Sequence, residues 1–167
     1  DYNWGYTRKM ATAGNTVWVI WSGWNAENIT KIFVSGSQDG GNSFSAAKVI
    51  SGTIGNFQTG HESITFNGTE IYASFLITNG QIYVVKSHNS GATFDPAYEL
   101  TLPNDTHLRS GWGPILVKDP VNHNAHLIHS GPVHAVLSPA SDYPSQDNLA
   151  CPTLKDQRYV TAAFDQD

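Results

Sequence analysis

An internal repeat is the feature of this sequence that most constrains its fold. The segment 31–44 aligns without gaps on 81–94, at an offset of 50 residues. Upstream, 15–21 matches 68–75 with one slip, and 125–138 forms a weaker third copy. A period of this length indicates stacked structural repeats, each of which buries its apolar face against its neighbours.

Each copy consists of short β-branched or aromatic segments separated by Gly, Asn, Asp and Ser. This pattern is typical of strands and turns, and no stretch has convincing helical periodicity. We predict four strands per copy: near 6–12, 16–22, 31–37 and 46–50; near 61–66, 70–77, 81–87 and 97–101; and near 113–118, 125–130, 133–138 and a poorly defined segment within 149–156. Four strands in roughly 50 residues are the unit of a β-propeller blade.

The expected fold is therefore all-β, a section of a β-propeller made of about three four-stranded antiparallel blades and the first strand of another. The expected boundaries are about 5–51, 58–102 and 108–156, with a further blade starting at 157–167. Because a closed propeller needs about four blades and an open one exposes sheet edges, further blades are expected. The same longer chain is the favoured source, and the alternative is a second copy, in a closed ring or a longer assembly.

A motif of the form Ser-x-Asp/Asn-x-Gly-x-x-Phe stands between the third and fourth strands of the first two copies. Its residues are Ser37, Asp39, Gly41 and Phe44, and then Ser87, Asn89, Gly91 and Phe94. The short side chain at the third position is expected to bond backbone N–H groups of its own turn. The glycine permits a positive φ, and the phenylalanine fills the gap between neighbouring strands. We expect both motifs to be structural.

The motif resembles the Asp box, or bacterial neuraminidase repeat, of sialidase-like propellers. The resemblance covers residues 5–102 well and the remainder loosely. It implies that the boxes lie on the outer rim, away from any active site, so Asp39 is not a catalytic candidate. The third copy lacks the box, and its segment 139–144, with two prolines and no matching glycine, is expected to form a longer loop.

The arginines are the constellation most suggestive of chemistry. Arg8, Arg109 and Arg158 each fall in or just before a predicted first strand, and in the second copy that place holds His61 and Glu62, with Glu62 the counterpart of Arg8. The sialidases that the chain resembles clamp a sugar carboxylate with three arginines. They also use a tyrosine–glutamate pair as nucleophile and an aspartate as acid/base.

The resemblance implies the catalytic candidates Arg8, Glu62, Arg109, Arg158 and Tyr159, and Tyr143 is a further tyrosine available to such a site. The family's signature next to its first arginine is missing, and no aspartate lies in a matching acid/base loop. The alternative, which we favour, is that the arginines are channel-lining or strand-edge charges.

Two tryptophans, Trp21 and Trp24, flank a Ser-Gly turn, where an exposed indole is suited to stack on the face of a sugar. The alternative for both is packing in the core or on the rim, and Trp18 is expected in the core.

The histidines His107, His123, His126, His129 and His134 form a second cluster along the sequence. His126 and His129 point to opposite faces of one strand, which leaves His126 and His134, on neighbouring strands, as the metal candidates. Because tight ligand spacing is missing, we expect surface or half-buried histidines, no metal and no cofactor.

The amino-acid composition limits the partners and the cellular location to be expected of the chain. Hydrophobic residues make up 40 % and charged residues only 14 % of the chain, which excludes a disordered tail. The net charge of −5 without a basic run argues against nucleic acid as a partner, and no apolar run is long enough to span a bilayer. The polar, weakly charged composition and three sequons, at Asn28, Asn67 and Asn104, favour a secreted or cell-surface glycoprotein. The single cysteine, Cys151, is a free thiol or pairs outside this stretch.

Intact structural motifs beside an incomplete catalytic set favour a non-catalytic module that binds a glycan or a protein, or acts as a scaffold. One alternative is an exo-sialidase or related glycoside hydrolase whose remaining residues lie outside this stretch. The other is a self-assembling subunit of a surface layer or filament. Fold resemblance alone does not choose among these functions.

Overall fold

The computed structural model describes residues 8–55, 57–78, 80–100, 113–129, 133–138 and 145–148. Within them the chain forms strands and no helix, and hence no helix that could cross a membrane. The strands are β1 Met10–Ala13, β2 Thr16–Trp24, β3 Thr30–Ser37 and β4 Lys48–Val49; β5 Phe57–Phe66, β6 Ile71–Ile77, β7 Ile82–Ser87 and β8 Tyr98–Glu99; and β9 Ile115–Lys118, β10 Ala125–His129, β11 Val133–Leu137 and β12 Ser145–Asn148.

These strands form three four-stranded sheets, each an antiparallel meander in chain order, which we call blades 1, 2 and 3. The first strand of the middle sheet, β5, contacts both β1 and β9, so the first strands are neighbours along one side of the stack. This arrangement confirms the all-β propeller section expected from the repeat. The further strand expected at 157–167 lies outside the described residues.

The third blade differs from the prediction at its fourth strand. β12 lies at 145–148 instead of within 149–156. The segment 139–144, expected to form a longer loop, lies outside the described residues. The residues of β12 are all polar, so its strand character comes from pairing with β11 and carries little signal in the sequence.

The core lies between the blades in two layers. In the first, Trp18, Ile20, Ile32 and Val34 of blade 1 meet Ile64, Ile71, Ala73 and Phe75 of blade 2. In the second, Tyr72, Leu76, Ile82 and Val84 of blade 2 meet Leu116, Leu127, Ala135 and Leu137 of blade 3. Because β6 is covered on both faces, all of its residues are buried, which explains its apolar run. Each large side chain so buried contributes about 1.5–3 kcal/mol.

The two box loops form the hydrogen bonds expected of them. Asp39 Oδ1 accepts from the N–H of Ser43 at 2.9 Å, and Asn89 Oδ1 accepts from the N–H of Thr93 at 2.9 Å. Gly41 and Gly91 have φ of 95° and 79°, a region that favours glycine.

The phenylalanines of the two boxes behave differently. Phe94 is half-buried and packs against the layer between blades 1 and 2, as expected. Phe44 is 46 % exposed and does not fill a gap. The same motif therefore sits in two different surroundings.

Candidate ligand site at the mouth of the first strands

The two ends of the blades have different roles. The box loops share an end with the turns that join the first and second strands, because Gly40 N–H donates to the carbonyl of Asn15 and Ser90 N–H to that of Thr69. The first strand of each blade therefore starts at the opposite end of the blade, where the second strand stops. We call this end the mouth. Lys9, Ser22 and Trp24 lie there.

Glu62 is the centre of the mouth. Its side chain is buried, and its Oε1 lies 2.8 Å from Lys9 Nζ and accepts from the N–H of Ser22 at 3.0 Å. Lys9 Nζ also donates to the backbone carbonyl of Glu62 at 3.0 Å. Burying a carboxylate is costly unless such partners compensate the charge, so this ion pair joins the first strands of blades 1 and 2. Burial lowers the pKa of Lys9, and the charge of Glu62 and its hydrogen bond oppose that effect.

Two histidines line the same region. Burial, and then the charge of Lys9, lower the pKa of His61, while Glu62 acts in the opposite direction. His129 is buried at the end of β10, and burial lowers its pKa to about 4, with a smaller contribution from His61. His129 is therefore neutral at pH 7. A Cβ at Gly113 would lie 2.7 Å from the Cα of His61, so blade 3 also reaches this point.

The structure separates the two tryptophans that the sequence grouped. Side chains alternate along β2, so Ser22 and Trp24 share the face that turns towards blade 2. Trp24 is 70 % exposed and lies two residues beyond the N–H that holds Glu62. Trp21 lies on the opposite face, stacked on Phe33 at a centroid distance of 5.7 Å. Only Trp24 is therefore part of the mouth.

Arg8 is exposed, and its carbonyl accepts from the N–H of Ile64 at 2.9 Å, which places it beside β5. Met10 of blade 1 pairs with Val19, and Ile64 occupies the same place in blade 2, where it pairs with Ala73. Arg8 and Glu62 each lie two residues before these positions, in agreement with their predicted equivalence. The candidates Arg109, Tyr143, Arg158 and Tyr159, the sequon at Asn104 and Cys151 lie outside the described residues.

Sequence reasoning missed Lys9 and the placement of His129. Lys9 directly follows Arg8, so its position just before a first strand was a usable signal. The burial of His129 had no signal in the sequence, because a histidine at the end of a short strand is ordinarily accessible to solvent. In the described part of the chain no three His, Cys, Asp or Glu side chains group to hold a metal. The burial of β10 alternates, which puts His126 and His129 on opposite faces as predicted, and the side chain of His134 lies outside the description.

The sequons at Asn28 and Asn67 have different surroundings. Asn28 is exposed in the β2–β3 turn with a φ of 58°. Asn67 Nδ2 donates to the carbonyl of His123 at 3.1 Å, and its Oδ1 accepts from the N–H groups of Thr69 and Glu70. The amide of Asn67 is thus engaged in a contact with blade 3.

Comparison with known proteins supports the fold. No family model and no curated protein matches the chain. It is similar to the structure of a protein of unknown function from Dyadobacter fermentans (TM-score 0.60, 13 % identity, 82 % of this chain and 39 % of that one). It is also similar to a xylan β-1,4-xylosidase from Bacillus halodurans (TM-score 0.51, 12 % identity, 86 % and 32 %). A third structure, YCF48 bound to D1 peptide, matches at a TM-score of 0.45 with 16 % identity, over 93 % and 41 % of the two chains. At these identities the likeness shows the fold alone, and the chain spans about a third to two fifths of the structures that it matches.

Proposed function

We propose that this chain is part of an extracellular propeller module that binds a glycan or a protein segment at the mouth between blades 1 and 2. The observation that carries the proposal is the exposed indole of Trp24 on the same face of β2 as Ser22, whose N–H holds the buried carboxylate of Glu62 beside Lys9. An aromatic face next to a few fixed polar groups is the usual composition of a small binding site.

Each group has a distinct role in such binding. The Trp24 indole offers a flat apolar surface for the C–H face of a sugar or for an apolar side chain. The Lys9 side chain is about a third exposed, and its ammonium, with three donors, can bond a ligand oxygen while it keeps its bonds to Glu62. His61, half-buried beside it, adds a polar ring.

The geometry favours binding over hydrolysis. Glu62 is the one buried carboxylate at the mouth among the described residues, whereas most glycosidases need a pair of carboxyl groups flanking the bond. The other buried carboxylate of the described segments, Asp119, follows β9 at the box end, where it accepts from the N–H groups of Val121 and Asn122.

A screen on a glycan array and a library of extended peptides tests the proposal. We expect binding that Trp24→Ala weakens by a factor of about two to ten, since aromatic stacking contributes about 0.5–1.5 kcal/mol. Trp21→Ala, which removes an indole from the opposite face, is the matched control and should leave the affinity unchanged. Ligands that bind equally well to both variants would contradict a site at Trp24.

The glycoside hydrolase alternative predicts turnover. The chain would be incubated with fluorogenic sialoside and xyloside, with Arg109→Ala as the variant. If the chain releases the fluorophore and Arg109→Ala abolishes that release, the glycoside hydrolase function replaces the binding proposal.

A further inference from the structure

The second box loop carries a histidine that contacts two carboxylates. His88 Nδ1 lies 3.0 Å from Oε1 of Glu70, which directly precedes β6, and its Nε2 lies 3.1 Å from Oδ2 of Asp95, near the end of the loop. A neutral imidazole has one ring N–H and one lone pair, so it can donate to only one of these carboxylates. The imidazolium donates to both, and the geometry therefore fits the protonated ring.

The charged groups that act on His88 among the described residues all belong to blade 2. The hydrogen bond to Glu70, together with the charges of Glu70 and Asp95, raises the pKa of His88, whereas partial burial and the charge of Lys86 oppose that effect. The hydroxyl of Tyr72 donates to Glu70 Oε2 at 2.6 Å, which holds this carboxylate in place. The net result is a pKa of His88 above its ordinary value of 6.5.

The loop that these contacts hold is also the loop against which blade 1 packs. A Cβ at Gly91 would overlap the Trp18 ring, and Phe94 meets that ring edge-on, at a centroid distance of 6.1 Å. Lys48 Nζ, also from blade 1, donates to the carbonyls of Gly91 and Ala92. The second box is thus a seat for the aromatic ring and the lysine of the preceding blade, and His88 ties this seat to β6.

The first box has the same turn without the charged contacts. The three residues equivalent to His88, Glu70 and Asp95 are all uncharged: Gln38, Thr16 and Ser45. The equivalence follows from the 50-residue offset of the boxes and from the matching registers of β2 with β3 and of β6 with β7. Among the described residues, no atom lies within 4 Å of a Cβ built at Gly41. The pair of ionic contacts is therefore a property of blade 2 and not of the motif.

We propose that His88 is a protonation-dependent link, which holds the second box loop through both Glu70 and Asp95 when the imidazole is charged and releases one of them when it is neutral. A histidine whose pKa is higher in the folded state stabilises fully below its unfolded pKa of about 6.5, and this stabilisation is lost as the pH rises through the folded pKa. The junction of blades 1 and 2 is therefore tighter in weakly acidic than in alkaline solution. This link is independent of the ligand proposed for the mouth, which lies at the opposite end of the blades.

Amide hydrogen exchange of the chain, measured by NMR, tests the proposal. The N–H groups of Gly91 and Thr93 form hydrogen bonds within the loop, and their protection factors should fall about two- to fivefold between about pH 5.5 and pH 8, as expected of partly exposed ion pairs. The equivalent N–H groups of Gly41 and Ser43 are the internal control. Their protection should stay constant, because Asp39 is ionised throughout this range. Equal pH dependence in the two loops overturns the proposal.

Titration of the His88 ring by NMR measures the link directly. We expect a pKa above 6.5 that Glu70→Gln and Asp95→Asn each lower, and a pKa at or below 6.5 in the unaltered chain overturns the proposal whether or not a variant folds. His88→Gln gives the second box the residue of the first and should abolish the pH dependence of loop protection. His126→Gln, in blade 3, is the matched control and should leave that dependence unchanged. A pH dependence that persists in His88→Gln, folded by circular dichroism, also overturns the proposal.

Discussion

The two box loops have the same local structure and different neighbours. In each, a serine hydroxyl accepts from the N–H of the box glycine, at 2.8 Å for Ser37 and Gly41 and 2.9 Å for Ser87 and Gly91. The loop of blade 2 also holds Trp18 and Lys48 of blade 1, whereas the loop of blade 1 is open. The motif therefore determines a turn, and the adjacent blade determines how much that turn contributes to stability.

The largest expected difference is between the two box glycines. Gly91→Ala strains a positive φ and forces a Cβ into the Trp18 ring, so we expect a loss of about 3 kcal/mol or more in the free energy of unfolding. Gly41→Ala strains the backbone alone and should cost about 1–2 kcal/mol. Urea unfolding of both variants measures the difference, and equal losses would show that the Trp18 contact contributes nothing.

The two box phenylalanines should show the next largest difference in stability. Phe94→Ala removes a half-buried ring from the contact with Trp18, for which we expect a loss of about 2 kcal/mol. Phe44→Ala removes an exposed ring and should change stability by less than about 0.5 kcal/mol. Both values come from the same denaturant titration. A large loss of stability for Phe44→Ala would mean that the Phe44 ring is covered by other residues.

The lysine that joins the blades should have a smaller effect. Lys48→Met keeps the aliphatic stem and removes the hydrogen bonds to Gly91 and Ala92, so we expect a loss of about 1 kcal/mol. Lys118→Met, in blade 3, is the control. If the two substitutions lower the melting temperature equally, the hydrogen bonds of Lys48 are too exposed to contribute to stability.

The smallest difference should appear in acid, since one box has a carboxylate and the other an amide. Hydrogen bonds from Ser43 and Ser37 hold the pKa of Asp39 far below its ordinary value. A carboxyl group whose pKa is lower in the folded state stabilises fully above its unfolded pKa of about 3.9, and this stabilisation is lost as the pH falls below that value. Melting temperatures measured from pH 6 to pH 2 should thus fall less steeply for Asp39→Asn, which makes the first box resemble the second. An unchanged slope would show that Asp39 does not contribute.

The fold could be predicted from the sequence because its signals are local. Turn residues and alternating apolar positions placed eleven of the strands in the described residues close to their observed bounds, with β12 as the exception. The mouth was harder. Glu62 and Trp24 were among the predicted residues, but Lys9 was not, since its ion pair joins positions 53 residues apart and depends on how two blades pack.

The repeat, the hairpins and the box turns follow from local sequence alone, because a glycine at positive φ and a short side chain bonded to its own turn need no distant partner. Which faces of these strands are covered depends instead on how the blades pack against one another. Burial of Glu62 beside Lys9 and the seat of Trp18 in one box both arise where neighbouring sheets meet. Two turns of the same motif therefore contribute differently to stability, since burial is a property of the surroundings and not of the motif.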